Sequence, residues 1–480
     1  TSPRRKTFSS GESGLTILTC TGEKCRAKLF HERGVKLKYS RSAMGLLLLM
    51  IMFSACGIAA ERGVPVVLND DAGWCWFQEE RAVFAGGKLV AGSVAAGTKD
   101  AARKGNIEVS SFSPGDGEVE RFVLHEGLEL DDHDVPAFLE LPDGRLLAVY
   151  SKHNIDRAIR YRVTERPGDI SAWSAEKVFD RGIFSHAVTY SNLFRLEGEN
   201  GRIYDFYRGD DFDPNVLISD DNGKKWRDAG RLIGGPGRPY VKYASDNRGE
   251  VHFICTDQHP RDFDNSIYHG CLRAGKIYDS FGNEVGRPGR EPAEHSKLTV
   301  VFRGDKDNVA WPADFEYAAD GRLYAVYSVQ KDGAGMPKGF GGMDHRYRYA
   351  WFDGEAWHDN KVAYAGSKLY SGEDDYTGLI CIHPGAVNTV YFSTNADPRT
   401  GAPLISRTDG HRHYEIFKGV TPDGGKTWEF TAVTSDSTLD QIRPNVPKGG
   451  PEGSALIWLR GRLKSYRDYD LEMVALIPAP

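Results

Sequence analysis

The segment Leu141-Pro-Asp-Gly-Arg-Leu-Leu-Ala-Val-Tyr150 has the pattern of a β-hairpin. Apolar residues lie on both sides of Asp143-Gly144, and the second apolar run ends at Tyr150. Asp-Gly pairs favour tight hairpin turns because both central positions then adopt positive φ angles. The segment therefore predicts two antiparallel strands joined by a short turn.

The same unit recurs along the chain, which indicates a repeat architecture. Its further copies lie at residues 86–90, 199–207, 247–254, 319–327, 384–392 and 457–462. Seven hairpins at a spacing of about 60 residues are typical of blades with four strands each. Long stretches of helical periodicity do not interrupt them, which argues against βαβ units. We therefore predict an all-β chain that forms a single seven-bladed β-propeller over residues 61–480.

The composition agrees with this fold. The 480 residues include 54 Gly, and aromatic residues make up 11% of the chain, a combination typical of strands joined by tight turns. Hydrophobic residues at 40% and charged residues at 27% exclude a disordered chain and a multi-span membrane protein. The net charge of −6 predicts that nucleic acid is not a partner. We expect a monomer.

The first 60 residues have a different character from the rest. Residues 1–43 carry ten Lys or Arg against three Asp or Glu, and we interpret them as an upstream extension outside the fold. Residues 44–60 form an uncharged, largely apolar run that follows basic residues and ends in small ones, the layout of a secretory signal. We expect an exported protein, either periplasmic or extracellular. Phe53-Ser54-Ala55-Cys56 also resembles a lipoprotein signal, in which case a lipid at Cys56 would anchor the protein to an outer surface.

Two segments share the pattern S/T-x-D-x-G-x-x-W. They are Ser219 to Trp226 and Thr421 to Trp428, and they resemble the Asp-box of sialidase-type propellers. We expect Asp221 and Asp423 to accept backbone N–H groups inside a turn and the two tryptophans to pack between sheets. Their role is structural.

The densest polar stretch runs from Asp131 to His153. His133 precedes the first strand of the predicted hairpin and His153 follows the second, so the hairpin brings the two imidazoles to one end of the sheet. The next hairpins place Tyr190, Arg208 and Tyr243 at the same kind of position. Histidine titrates near neutrality, which suits general acid–base catalysis. The alternative is that these residues are surface histidines and packing tyrosines.

These residues carry a family resemblance. The segments around His133, His153, His259 and Asp397, the last within Val-Tyr-Phe-Ser-Thr-Asn-Ala-Asp-Pro, resemble the BNR-repeat propeller group across residues 66–478. That group holds ulvan lyases, rhamnose–glucuronate lyases and α-L-rhamnosidases. The resemblance implies a catalytic set of His133, His153, Tyr190 and Arg208, with Tyr243 added to it.

A second motif bears on the choice within the group. Gly73-Trp-Cys-Trp-Phe-Gln-Glu-Glu-Arg81 resembles the first-blade motif of the rhamnosidases, which carry a catalytic His where this chain has Gln78. Glutamine is neither an acid nor a base at neutral pH, so this departure favours a lyase. The alternative is that the motif is blade packing. We assign five residues to substrate binding: Gln78, Arg81, Arg238, His259 and His345.

Four residues have the donor chemistry of a zinc site. Cys255 and His259 are followed by His269 and Cys271, and two thiolates with two imidazoles would form a closed tetrahedral site. The resemblance also implies a structural metal ion, zinc or calcium, and no organic cofactor. The alternative is two buried thiols near unrelated histidines.

The function that these observations predict is a secreted polysaccharide lyase. It would cleave an acidic glycan of rhamnose and uronate by β-elimination, with a His or Tyr acid and base and Arg208 neutralising the carboxylate. Two alternatives stay open: an α-L-rhamnosidase or other exo-glycosidase, and a carbohydrate-binding propeller without catalysis.

Overall fold

The computed structural model describes residues 64–182, 185–332, 339–450 and 455–477. The predicted extension and signal at residues 1–60 lie outside this part of the chain.

The described residues are almost entirely β-strand and loop. The strands of the first half are β1 (Val66–Asn69), β2 (Ala82–Ala85), β3 (Lys88–Val94), β4 (Ile107–Phe112), β5 (Val119–His125), β6 (Ala137–Glu140), β7 (Leu146–Tyr150), β8 (Ala158–Arg166), β9 (Asp169–Trp173), β10 (Lys177–Asp180), β11 (Leu193–Leu196), β12 (Arg202–Arg208), β13 (Pro214–Ser219), β14 (Arg227–Arg231), β15 (Val241–Ser245) and β16 (Glu250–Cys255). Those of the second half are β17 (Ile267–Arg273), β18 (Lys276–Tyr278), β19 (Glu284–Gly286), β20 (Thr299–Phe302), β21 (Val309–Tyr317), β22 (Leu323–Gln330), β23 (His345–Phe352), β24 (Trp357–Gly366), β25 (Ile380–Ile382), β26 (Thr389–Thr394), β27 (Glu415–Val420), β28 (Glu429–Ala432), β29 (Asp440–Asn445), β30 (Leu456–Ser465) and β31 (Asp468–Leu476). Short 3₁₀ helices lie at Ala101–Arg103, Asp132–Asp134, Glu197–Glu199, Asp210–Phe212 and His295–Lys297. Among the described residues, no helix has the length and apolar character needed to cross a bilayer.

The strands form seven antiparallel sheets arranged as a β-propeller, as predicted. Blade 1 contains β2–β5, blade 2 β6–β10, blade 3 β11–β14, blade 4 β15–β20, blade 5 β21–β24, blade 6 β25–β28, and blade 7 β29–β31 together with β1. The first strands of neighbouring blades contact each other, for example β2 with β6 and β21 with β25. These first strands therefore line the propeller axis.

Blade 7 closes the ring by joining the two ends of the folded chain. Strand β1 pairs antiparallel with β31, with Val66 opposite Ala475. Blade 7 thus takes one strand from the start of the propeller and three from its end. This pairing leaves no open edge between the first blade and the last.

Six of the seven hairpin signals mark the turn between the first and second strands of a blade. The seventh is wrong, because residues 457–462 lie inside the continuous strand β30. The turns also differ among themselves. Asn200 and Gly201 both have positive φ, at 57° and 72°, whereas in the Asp143-Gly144 turn only Gly144 does, at 76°.

The two S/T-x-D-x-G-x-x-W segments form the predicted turns. Asp221 Oδ1 accepts the backbone N–H of Lys225 at 2.8 Å, and Asp423 Oδ1 accepts that of Thr427 at 2.8 Å. Trp226 packs edge-on against Tyr161 of blade 2, and Trp428 packs edge-on against Tyr349 of blade 5. Each segment therefore ties its blade to the preceding one.

The segment from Trp74 to Arg81 runs through the middle of the ring, and we call it the axle segment. Side chains from several blades donate hydrogen bonds to its backbone: Asn192 to the carbonyl of Phe77 at 3.1 Å, Lys242 to that of Trp76 at 2.7 Å and Arg443 to that of Trp74. Trp74, Trp76 and Phe77 are among the largest fully buried side chains. The axle segment therefore fills the centre of the propeller with aromatic rings.

Candidate functional site

Four of the predicted catalytic residues, His133, His153, Tyr190 and Arg208, meet at one end of the propeller, where first strands begin and second strands end. His133 lies in the 3₁₀ helix Asp132–Asp134 just before β6, and His153 follows β7. Their rings stack with centroids 3.9 Å apart and an angle of 13° between the planes. The predicted convergence of these two histidines is thus present.

One buried carboxylate connects the two histidines. Asp131 Oδ1 lies 2.6 Å from His133 Nδ1, and Asp131 Oδ2 lies 2.9 Å from His153 Nδ1. Because an ionised carboxylate only accepts hydrogen bonds, both Nδ1 atoms carry a proton. The Nε2 atom of each ring is therefore the one left for chemistry.

The pKa values of the two imidazoles are shifted in opposite directions. Burial opposes protonation of His133, but the surrounding negative charges, Asp131 and Asp132 among them, raise its pKa well above the usual value. Burial and the charge on His133 lower the pKa of His153 to about 4, against the effect of Asp131. At neutral pH the pair therefore consists of a charged His133 and a neutral His153.

Tyr190 and Arg208 continue the site in blade 3. Tyr190 has a φ of 68°, in the left-handed region that costs an aromatic residue about 1–2 kcal/mol. Reciprocal backbone hydrogen bonds of 3.0 and 2.8 Å between the adjacent Thr189 and Arg208 hold this conformation. The Tyr190 hydroxyl is buried without a hydrogen-bond partner, and burial raises its pKa well above the usual value, so it stays protonated.

Arg208 is a buried cation that lies over the Tyr190 ring, 4.8 Å from its centroid. Its polar contacts are to hydroxyl groups, Tyr240 Oη at 3.3 Å and Thr189 Oγ1 at 3.4 Å. Within the described residues, none of the ion pairs involves Arg208. A buried guanidinium with no carboxylate nearby is poised to bind an anion.

Tyr240, and not Tyr243, is the tyrosine of blade 4 that belongs to this site. Tyr243 lies within β15, is 4% exposed, and stacks on Phe206 with centroids 4.6 Å apart. Its place in the predicted catalytic set is corrected, because it points into the packing between blades 3 and 4. Tyr240 precedes β15, as His133 precedes β6 and Tyr190 precedes β11, and its hydroxyl contacts Arg208.

The far side of the same mouth is built on His259 and Asp375. His259 packs against the rings of Tyr240 and Trp311, at 5.3 and 5.1 Å, and its Nδ1 lies 3.6 Å from Asp375 Oδ2. Burial, and then the nearby Glu373, raise the pKa of Asp375 to about 7. This side therefore combines aromatic faces with a carboxyl group that is partly protonated near neutrality.

Of the other residues assigned to substrate binding, only Arg238 lies at the mouth, with Cζ 5.9 Å from the Tyr240 ring. Gln78 is 1% exposed and donates to the backbone carbonyl of His133, so it supports the site from below. Arg81 is 4% exposed and pairs with Glu79 at 2.7 Å. His345 is fully buried. These three assignments are corrected, because Gln78 and Arg81 are held by groups beneath the mouth and His345 lies within the β22–β23–β24 ladder.

The four predicted metal ligands do not come together. On the β16–β17 ladder Cys255 is opposite Tyr268 while His252 is opposite Cys271, so Cys255 faces away from His269 and Cys271. His259 lies in the mouth. A different donor set is present instead: Glu250, His252 and Cys271 have donor atoms within 4.8 Å of one another.

Sequence reasoning missed two residues of blade 7. Tyr466 and Arg467 form the turn between β30 and β31. The Tyr466 ring meets His133 and His153 edge-on at 5.3 and 5.7 Å, and Arg467 Nε lies 2.8 Å from Asp131 Oδ2. An aromatic–arginine pair in a hairpin turn is the signal at this position, but the sequence predicts the hairpin of this blade at residues 457–462 instead.

Comparisons with known proteins agree with this architecture. The sequence model described as "BNR repeat-containing family member" matches residues 76–365, more than half of the chain. A search of curated protein sequences finds no match to this chain.

Solved structures with a similar fold are also found. An ulvan lyase of a polysaccharide lyase family, solved with -[GlcA(1-4)Rha3S]-, is similar at a TM-score of 0.63 and 14% identity, covering 87% of this chain and 96% of that one. The polysaccharide lyase Uly1 is similar at a TM-score of 0.53 and 9% identity, covering 88% of this chain and all of that one. At these identities the likeness is one of fold.

Proposed function

The chain belongs to the BNR repeat-containing family, and from this premise we propose that it is a polysaccharide lyase that cleaves an acidic glycan by β-elimination at a uronate. The observation that carries the proposal is the buried guanidinium of Arg208, without a carboxylate partner among the described residues and next to the histidine pair and Tyr190. A uronate carboxylate supplies the missing anion, and the adjacent groups supply proton transfer.

The roles follow from the protonation states. Elimination requires that a base removes the C5 proton, that the electrons form the C4–C5 double bond, and that an acid protonates the departing O4. Arg208 pairs with the carboxylate and stabilises the negative charge that develops on it. His153 is neutral because its pKa is lowered to about 4, so its Nε2 accepts the C5 proton. The protonated hydroxyl of Tyr190 donates to O4.

The position of Gln78 supports a lyase rather than a rhamnosidase. The residue at this place of the first-blade motif is enclosed beneath His133 and bonds to its backbone. It has no acid or base chemistry to offer. The similar folds of an ulvan lyase solved with a glucuronate–rhamnose ligand and of Uly1 favour the same reaction and suggest rhamnose next to the uronate.

The test is a panel of uronate glycans, including ulvan and rhamnose-capped arabinogalactan, assayed for the ultraviolet absorbance of an unsaturated uronate. A rise in absorbance supports the lyase. Release of free rhamnose without that absorbance would establish a hydrolase, and binding without any product would establish a carbohydrate-binding module.

We also propose that Glu250, His252 and Cys271 hold a structural metal ion in blade 4. His252 Nε2 lies 3.1 Å from Glu250 Oε2, Cys271 Sγ lies 3.8 Å from the same oxygen, and His269 Nε2 lies 3.3 Å from His252 Nδ1. Imidazole and thiolate donors suit zinc better than calcium. Bound zinc would cross-link β16 and β17 at the end of the blade opposite the histidine pair.

A further inference from the structure

The carboxylate of Asp131 is fully occupied by donors. Oδ1 accepts from His133 Nδ1 at 2.6 Å and from the backbone N–H of His133 at 3.1 Å. Oδ2 accepts from His153 Nδ1 at 2.9 Å and from Arg467 Nε at 2.8 Å. An ionised carboxylate offers about four lone-pair sites, so these four donors fix its orientation.

The two oxygens of Asp131 have different sets of donors, so the two histidines have different surroundings. Both donors to Oδ1 come from His133, whereas His153 shares Oδ2 with a cation. The positive charge of Arg467 reduces the negative potential at that oxygen, which weakens its pull on a proton at His153. The asymmetry between the rings is therefore built into the hydrogen-bond pattern.

We propose that Arg467 is a positioning residue that acts through Asp131 to align both imidazoles and to keep His153 in its neutral form. This inference rests on the proposed function, since it concerns how the proposed base is prepared. It deepens that function by adding a residue from blade 7, outside the stretch that matches the family model.

The hairpin that carries Arg467 is anchored where it meets the site. The backbone N–H of Asp132 donates to the carbonyl of Tyr466 at 3.0 Å. Arg467 Nη2 also bonds to Glu129 Oε1 at 3.1 Å, and its guanidinium lies 5.3 Å from the Tyr466 ring centroid. Held on three sides, the guanidinium keeps its position although the side chain is 48% exposed.

A role in substrate binding predicts different kinetics. If Arg467 contacted the uronate directly, its loss would raise KM and leave kcat and the pH profile unchanged. If it acts through Asp131, its loss lowers kcat and moves the acidic limb of the profile to higher pH. The charged groups that act on the pKa of His153 are His133, Asp131 and Arg208. Around them, the Tyr466 ring packs against His153, and Arg467 shares Asp131 Oδ2 with it and pairs with Glu129.

The experiment that tests the role of Arg467 measures the titration of the two imidazoles directly. Protein labelled with ¹⁵N-histidine is titrated by NMR as wild type, Arg467→Ala, Arg467→Lys and the control Arg407→Ala, which breaks an exposed arginine–aspartate pair in blade 6. Arg467→Ala is expected to raise the lower of the two site titrations by about one pH unit. Arg467→Lys should restore most of the shift and Arg407→Ala should cause none.

Two outcomes overturn the proposal: site titrations that are the same in Arg467→Ala as in wild type, or a variant with raised KM and unchanged kcat. The NMR titration needs no turnover. If wild type forms no unsaturated product from any glycan, the lyase proposal fails while the titrations still decide whether Arg467 prepares His153.

Discussion

His133 and His153 stack at 3.9 Å and share one carboxylate, yet the pKa of His133 is raised and that of His153 is lowered. A positive charge on both adjacent imidazoles would be unfavourable because like charges repel, so the pair carries one positive charge. His133, which is more buried and bonded twice to Asp131 Oδ1, carries it. The neutral ring is the one nearer to solvent, with 18% of its side chain exposed against 5% for His133.

Replacement of His153 by alanine should lower kcat by a factor on the order of 10² to 10⁴, the usual contribution of a general base. The melting temperature should change little because His153 is partly exposed. Steady-state kinetics on the best glycan of the panel provide the measurement. His125→Ala is the matched control, since His125 ends β5 of blade 1, pairs with Glu176 of blade 2 and is not one of the proposed site residues. Equal kcat values for the two variants would remove His153 from the mechanism.

The pH dependence of kcat/KM should be a bell. On the acidic side activity is lost as His153 gains a proton, so the limb should lie near pH 4, below the value of about 6.5 for free histidine. On the alkaline side activity should fall as His133 loses its proton, above that same value, because the mouth then loses a positive charge that favours binding of the uronate anion. A profile from pH 3 to 10 on the wild type checks both limbs. An acidic limb near 6.5 would contradict the assignment of His153 as the neutral ring.

Tyr240 and Tyr243 can be separated by removal of a single oxygen from each. Tyr240→Phe deletes the hydroxyl that contacts Arg208 and should raise KM for acidic glycans several-fold. Tyr243→Phe leaves its stacking on Phe206 intact and should leave kinetics unchanged. If only Tyr243→Phe affects KM, the assignment from sequence is restored and the site described above is wrong.

Tyr190→Phe tests the proposed acid. The Tyr190 hydroxyl has no hydrogen-bond partner among the described residues, so its removal should not lower the melting temperature, while kcat should fall by a factor on the order of 10² or more. A glycan with a better leaving group at C4 should recover part of the loss. Full activity of the variant would require another acid.

Metal content separates the two cysteines of blade 4. Purified wild type should contain about one zinc ion per chain by elemental mass spectrometry, and Cys271→Ser should contain much less. Cys255→Ser is the control, because Cys255 lies on the other face of the sheet. A wild-type protein without metal, or an equal metal content in the two variants, would contradict the proposed metal site.

Much of the fold is readable from the sequence because turn chemistry is local. Gly144 must adopt a positive φ, and that requirement is visible in the residues themselves. The failure at residues 457–462 is equally instructive. Gly461 lies inside β30 with a φ of 147°, and a Cβ at this position would meet the backbone carbonyl of Asp470. This glycine is therefore needed for a close approach of β30 and β31 and does not mark a turn.

The site was less predictable because it depends on which face a strand residue presents. Tyr240 and Tyr243 are three residues apart, and only the start of β15 at Val241 decides that the first faces the mouth and the second the packed sheet. The same reasoning applies to Cys255 and Cys271, whose faces are set by register. Arg467 is 336 positions from its partner Asp131, a contact that no local pattern can indicate.

The axle segment has a consequence for biosynthesis. Residues near the start of the propeller are bonded by Lys242 and Arg443, and the second of these arrives only with blade 7. During synthesis the bonds from Asn192 and Lys242 can therefore form before the bond from Arg443, which completes the hold on the axle segment only when almost all of the propeller has been made. The contact between Arg467 and Asp131 also requires blade 7, so the axle segment and the histidine pair are both completed only after the last blade has formed.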